Sequence, residues 1–308
     1  MTIKDKINIA VIQATPVLFQ LEATLEKVRR LATEAAGQGA EFVLLPEAYV
    51  SAYPRGISFG TVVGSRNEGG REQWRKYWES ALDLESEAFE QLQACARENR
   101  IHLAIGVNER TSINGTIYCS LLLFDPNGKL VSHHRKIKPT AAERFIWGEG
   151  DGRSLKVHST SLGRIGGLIC WENYMPLARF ALYEQGIEIY LAPTADSRDN
   201  WQATMTHIAL EGRCFVLSCN QYVEKKDYPD EWQAELVGQP KVMCRGGSTI
   251  ISPLGKVLAG PFYGGEKILL AQLDRRDLIR SKLDFDPVGH YHRPDLFQFF
   301  HPGKKNRL

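Results

Sequence analysis

Apolar and polar positions follow two rhythms along this chain, one of short dense runs and one of helical spacing. Residues 7–13 form a compact apolar run interrupted only by Asn8, which predicts a first strand. Leu21, Leu25, Val28, Leu31, Ala32 and Ala35 then recur on one face, predicting an amphipathic helix over 21–37 that closes near Gly39. Residues 41–45 read as a buried strand, and the Gly-rich polar stretch 53–70 as a long irregular excursion. Helical text resumes over 72–100 and gives way to a strand at 101–107. Asp125-Pro126-Asn127-Gly128 is a strong turn signal and predicts a hairpin of 116–124 with 129–137. A second hairpin is expected between 155–158 and 164–170, with Gly163 in its turn. Pro176 suits the first turn of a helix over 177–185 that Gly186 ends. Strand 187–192, helix 201–212 and strand 214–219 follow in β-α-β order. Residues 222–244 read as a second long loop, and 248–252 pairs with 256–259 around Pro253-Leu254-Gly255. Strand 268–273 and a short helix over 275–283 complete the pattern.

Crossovers mixed with hairpins argue for an α/β chain with mixed sheets rather than one parallel sheet. No low-complexity linker divides the sequence, so a single domain is expected over 1–283. Residues 284–308, with Pro287, Pro294 and Pro302, read as an extended C-terminal arm that forms an interface. The 308 residues are 43% apolar and 24% charged, as in an ordinary globular protein. A net charge of +2 gives no electrostatic case for nucleic-acid binding, because the basic clusters at 133–138 and 304–307 are short. The tail at 304–307 reads as solvated and mobile.

No run approaches the ~18 apolar residues of a membrane span, and the opening run is too short and interrupted for a signal peptide. The six cysteines form no C-x-x-C pair, so buried free thiols and a reducing, cytoplasmic compartment are expected. His290 and His292 lack further ligands and are read as part of the arm, with His290 buried, rather than as a metal site.

Chemistry concentrates where apolar runs stop. Gly166-Gly167-Leu168-Ile169 ends at Cys170, and Phe42-Val43-Leu44-Leu45 ends at Pro46-Glu47. Lys136 sits in the basic cluster between them. Thiol, carboxylate and ammonium at element ends are the parts of covalent cysteine catalysis: a nucleophile, a proton shuttle and an anion stabiliser. A cysteine near its ordinary pKa of ~8.5 is mostly thiol at neutral pH. The positive end of the helix beginning near Pro176, or a nearby carboxylate, is expected to activate it. Singly, each residue has an ordinary reading: a packed cysteine, a surface carboxylate, a solvated basic face, and for Glu143 a salt bridge to Arg144 or another base.

Several ordered segments change that balance: Leu44-Leu45-Pro46-Glu47, Arg135-Lys136-Ile137-Lys138-Pro139-Thr140, Glu143-Arg144-Phe145-Ile146-Trp147-Gly148-Glu149-Gly150-Asp151-Gly152 and Cys170-Trp171-Glu172-Asn173. With Ala192-Pro193-Thr194-Ala195-Asp196, Ile250-Ile251-Ser252-Pro253-Leu254-Gly255 and Val288-Gly289-His290-Tyr291-His292-Arg293-Pro294-Asp295, the sequence resembles the nitrilase branch of the carbon-nitrogen hydrolase superfamily. Asn173-Tyr174-Met175-Pro176-Leu177-Ala178-Arg179 is most similar to plant-type nitrilases and their bacterial relatives.

The resemblance implies a four-layer α-β-β-α sandwich of two mixed sheets. It implies Cys170 as nucleophile, Glu47 as general base and acid, Lys136 as the cation for developing charge, and Glu143 as the second glutamate that positions water or the lysine. Neither a metal nor an organic cofactor is called for. The expected reaction takes an organic nitrile to the carboxylic acid and ammonia through a thioimidate and a thioester, with minor amide release. Tyr53, Trp171, Thr194 and the loop 222–244 are the expected substrate-pocket residues, and Trp171 has a core reading as well. Aliphatic, arylacetonitrile and cyano-amino-acid substrates all stay open. A homodimer is implied; the spiral assemblies of relatives with longer tails stay open, because this chain ends soon after Asp295. The alternatives are an amidase of the same superfamily and a catalytically silent binding protein on the same scaffold.

Overall fold

A computed structural model describes residues 4–301; the basic tail at 304–307 lies outside the described residues. The first half runs β1 (Lys6–Gln13), α1 (Leu21–Gly37), β2 (Phe42–Leu44), α2 (Glu68–Ser80), β3 (Leu82–Asp83), α3 (Glu87–Asn99), β4 (His102–Arg110), β5 (Ile117–Phe124) and β6 (Leu130–Arg135). The second runs β7 (His158–Thr160), β8 (Gly163–Gly167), α4 (Pro176–Tyr183), β9 (Ile189–Thr194), α5 (Asp199–Gly212), β10 (Phe215–Asn220), β11 (Tyr222–Glu224), β12 (Val242–Ile251), β13 (Val257–Tyr263), β14 (Lys267–Asp274) and α6 (Arg276–Arg280).

Two sheets result, ordered β14-β1-β2-β4-β5-β6 with β3 beside β4, and β11-β12-β10-β9-β8-β7 with β13 beside β12. Both are mixed: β1, β2 and β4 pair in parallel, as do β8, β9 and β10, while the flanking pairs are antiparallel. Side-chain alternation along the strands sets the layers. Ile7, Ile9 and Val11 of β1 join Ile189 and Leu191 of β9 and Phe215 and Leu217 of β10 in one core between the sheets. Ala10 and Ile12 face the other way, against Leu25, Val28 and Leu31 of α1 and Leu92 and Ala96 of α3. Tyr190, Ala192 and Val216 likewise face α4 and α5, through Ala181, Leu182, Met205 and Ile208. The architecture is therefore an α-β-β-α sandwich, as the sequence led us to expect.

The departures have local causes. The helical text at 72–100 is two helices, because Leu82–Asp83 pairs in parallel with Glu109 and Arg110 and Ser86 starts a new helix by accepting the Phe89 N–H. The excursion also ends early, where the Asn67 side chain caps α2. Strand β8 stops at Gly167 rather than reaching Cys170. A Cβ on Gly167 would stand 2.6 Å from the Leu191 carbonyl oxygen, so the backbones meet there and the chain turns away. The expected loop 222–244 contains β11 and the start of a long β12. Its middle is packed, with Trp232 and Leu236 buried and Trp232 stacked on Phe19 at 4.3 Å. His290 is exposed, not buried, because the arm bends back at 286–292 and offers Val288 and Phe299 to the α4 side instead.

Candidate active site

The chain leaves β2 through Leu45 and Pro46 and places Glu47 where β4 passes close beneath. At Gly106 a Cβ would lie 2.2 Å from the Pro46 oxygen, so a side chain there would push the glutamate's loop away. Beyond Glu47 the backbone is left-handed at Ala48, Ser51 and Ala52, a run of strained residues beside the site. Gln221 fixes the loop from the other sheet, its Nε2 donating to the Glu47 carbonyl at 2.7 Å.

Lys136 directly follows β6 and is fully buried. Its Nζ donates to Glu47 Oε1 at 2.7 Å and to Glu143 Oε2 at 2.7 Å, beside the face of Trp147. Glu143 rides on a single 3-10 turn, where its Oε2 also accepts the Thr140 N–H at 2.6 Å and its Oε1 accepts the Tyr53 hydroxyl at 2.7 Å. Cys170 opens another 3-10 turn with φ of 50° and is 4% exposed. The Thr194 hydroxyl donates to its sulfur at 3.2 Å. The Glu47 charge acts on this thiol, and the Cys119 sulfur lies 3.8 Å from Glu47 Oε1.

Burial raises the Glu47 carboxyl above its ordinary pKa, the nearby ammonium opposing the rise and the Glu143 charge adding to it. Burial alone would depress Lys136, but the Glu47, Cys170 and Glu143 charges together hold it well above its ordinary value. The Cys170 thiol is pushed up, first by burial and then by the Glu47 charge. With its pKa raised, Cys170 is a thiol at neutral pH.

Cys170 opens onto a cavity of about 310 Å³. Tyr53 and Trp171 line it, whereas Thr194 is fully buried beneath the sulfur and is not a wall. The segment 222–244 is not a wall either; its buried residues brace the excursion, with Leu236 and Met243 packed beside Gly56. The far wall is Ala195 to Arg198, where Asp196 binds the Arg198 guanidinium and accepts from Trp171 Nε1 at 2.9 Å.

Two residues escaped the sequence reading. Arg55 lines the cavity and donates to the Ala195 carbonyl, yet among the described residues no carboxylate pairs with it. Its setting, Tyr53-Pro54-Arg55-Gly56, reads only as polar loop text. Glu172 is wholly buried; its Oε1 accepts the Ile137 N–H and its Oε2 the Ile169 N–H, each at 2.6 Å. The one available signal was a glutamate two residues after a candidate nucleophile.

Comparison with known proteins agrees with this arrangement. The carbon-nitrogen hydrolase family model matches residues 8–282. A bifunctional nitrilase/nitrile hydratase of Nicotiana tabacum is 50% identical over 295 residues, covering 94% of this chain and 84% of that one. An aliphatic nitrilase of Sinorhizobium fredii is 49% identical, covering 95% and 94% respectively. Among solved structures, a nitrilase-superfamily protein of Saccharomyces cerevisiae superposes with a TM-score of 0.73 at 19% identity, over 94% of this chain and 98% of that one.

Proposed function

Because the chain belongs to the nitrilase branch of the carbon-nitrogen hydrolases, we propose that it converts organic nitriles to carboxylic acids and ammonia at Cys170. The observation that carries this reading is the buried cluster in which Lys136 bonds both Glu47 and Glu143, with Glu143 and Cys170 on one cavity and the Glu47 charge acting on the thiol. Glu47 takes the thiol proton as sulfur bonds to the nitrile carbon. Electron density moves to nitrogen, where Lys136 stabilises it, and a proton returned to nitrogen gives the thioimidate. Water adds to that carbon, one of its protons passing through a glutamate to the imino nitrogen, which leaves a tetrahedral centre that holds hydroxyl, amino group and sulfur. Transfer of the hydroxyl proton to the amino group, relayed by a glutamate, and breakage of the C–N bond release ammonia and leave a thioester. A second water releases the acid and restores the thiol. Glu143 holds Lys136 in place and receives the Tyr53 hydroxyl at the cavity edge.

Arg55 bears on substrate choice. A guanidinium beside the cavity with no carboxylate partner among the described residues favours nitriles that carry an anionic group. Self-association as a homodimer is the reading for the exposed Leu177 of α4 and Leu296, Phe297 and Phe300 of the arm. Six unpaired, buried cysteines favour a reducing, cytoplasmic compartment. No helix among the described residues is long and apolar enough to cross a membrane.

The test is ammonia release by purified protein from aliphatic, arylacetonitrile and cyano-amino-acid nitriles, set against the matching amides. Turnover of nitriles that Cys170→Ala abolishes supports the reading; turnover of amides alone assigns the site to amidase chemistry.

A further inference from the structure

The nucleophile and the lysine belong to different sheets. Lys136 leaves the end of β6 in one, and Cys170 follows β8 in the other. One carboxylate joins the two departures. Glu172 Oε1 takes the N–H of Ile137, the residue after Lys136, and Oε2 takes the N–H of Ile169, the residue before Cys170. His134 Nε2 lies 2.9 Å from the same Oε2, and its Nδ1 lies 2.8 Å from the Ser154 hydroxyl, which fixes the ring on β6. Glu172 does not line the cavity that holds Cys170, and both its side chain and that of His134 are buried.

The nucleophile turn is held separately from behind. Asn173 donates to the carbonyls of Leu168 and Cys170 at 3.0 and 2.7 Å, and its own oxygen accepts the Tyr190 hydroxyl at 2.8 Å. Those bonds lie within the turn and its own sheet. Glu172 instead ties the backbone before Cys170 to the backbone after Lys136.

We infer that Glu172, oriented by His134, is a positioning residue that sets where Lys136 stands relative to the carbon bonded to Cys170, and thereby sets whether the tetrahedral intermediate releases ammonia or amide. The inference rests on the nitrile-hydrolysis reading above. In that intermediate, carbon carries hydroxyl, amino group and sulfur. Breaking the C–N bond needs a proton on nitrogen and expels ammonia, leaving the thioester. Breaking the C–S bond returns the electron pair to sulfur, which is reprotonated as the Cys170 thiol while the hydroxyl proton is lost, and frees the amide. Proton placement at nitrogen depends on the Lys136 cluster lying within hydrogen-bond reach of it. A carboxylate offers two equivalent acceptors to two N–H groups. Its neutral amide counterpart offers one acceptor and a competing donor, so one of the two ties must open.

The experiment compares wild type, Glu172→Gln and His134→Asn on one nitrile that the wild type turns over, measuring acid, amide and ammonia separately along with kcat and KM. Glu172→Gln is expected to raise the amide-to-acid ratio about tenfold, equivalent to a small change in relative barrier, with kcat reduced and KM nearly constant. His134→Asn keeps the carboxylate and both backbone ties and is expected to shift the ratio less, in the same direction. The ratio is internal to each turnover and does not change with the fraction of folded enzyme, so a purely structural role would leave it alone. Should Glu172→Gln not fold, the shift in His134→Asn decides. An unchanged ratio in every folded variant overturns the inference, however far kcat falls. Absence of product from the wild type on any nitrile overturns the functional reading instead.

Discussion

The Lys136 ammonium lies 2.7 Å from the Glu47 carboxylate, although both side chains are fully shielded from solvent. Their partners stand 89 residues apart in sequence and meet only because β2 and β6 end on the same side of one sheet. A second buried carboxylate, Glu143, shares the same ammonium. Lys136→Met therefore leaves two buried carboxyl groups without their cation. Loss of one partner from such a cluster costs about 3–5 kcal/mol. Urea unfolding is expected to show a loss of that size together with loss of turnover; unchanged stability would contradict the charge assignment.

Activity should fall on the acid side at a higher pH than an ordinary glutamate would give. Glu47 must be ionised to accept the thiol proton, and burial raises its carboxyl pKa. As pH falls through that raised value, the base is protonated and kcat/KM declines. A profile whose acid limb lies at the ordinary value of about 4.3 would count against Glu47 as the base. Glu47→Gln should remove that limb and lower kcat by about 10²–10⁴.

The resting nucleophile should behave as a thiol. Burial and the Glu47 charge push Cys170 upward, so the ultraviolet difference between wild type and Cys170→Ala at neutral pH should carry no thiolate band. A thiolate signal at neutral pH would instead indicate a preformed ion pair and a different role for Glu47.

Arg55 should discriminate by charge. Arg55→Met is expected to lower kcat/KM for a carboxylate-bearing nitrile by about 10–100-fold, the scale of about 1.5–3 kcal/mol for a hydrogen bond to a charged group. Its neutral ester analogue should change little. Equal losses on both substrates would assign Arg55 to holding Ala195 rather than to binding substrate.

Much of this arrangement could be read from the chain before any coordinates. The dense apolar runs of β1, β9 and β10 marked strands covered on both faces, as they are, and the apolar stripe of α1 marked a packed helix; the four-layer order came from the family resemblance. Glu47 and Cys170 were visible as polar residues abruptly ending apolar runs. Lys136 was harder, since a basic cluster normally faces water; only its pairing with Glu47 and Glu143 permits its burial, and that pairing is non-local. The same limit hid Glu172, whose two N–H partners lie on segments 32 residues apart (169 − 137). Helix ends failed where tertiary pairing intervened, as when β3 cut the 72–100 run in two. Thr194 was expected as a pocket wall by family analogy but is buried against the Cys170 sulfur, and no pattern in the sequence told wall from floor.

The proposed hydrolysis requires a bond between the Cys170 sulfur and the substrate's nitrile carbon. Rapid acid quench during turnover, followed by peptide mass analysis, measures it directly. An acyl or imidoyl adduct is expected on the peptide carrying Cys170, with its mass following the nitrile supplied, and none on Cys170→Ala. Nitrile turnover that persists in Cys170→Ala, with no adduct on the wild-type peptide at any quench time, would contradict it.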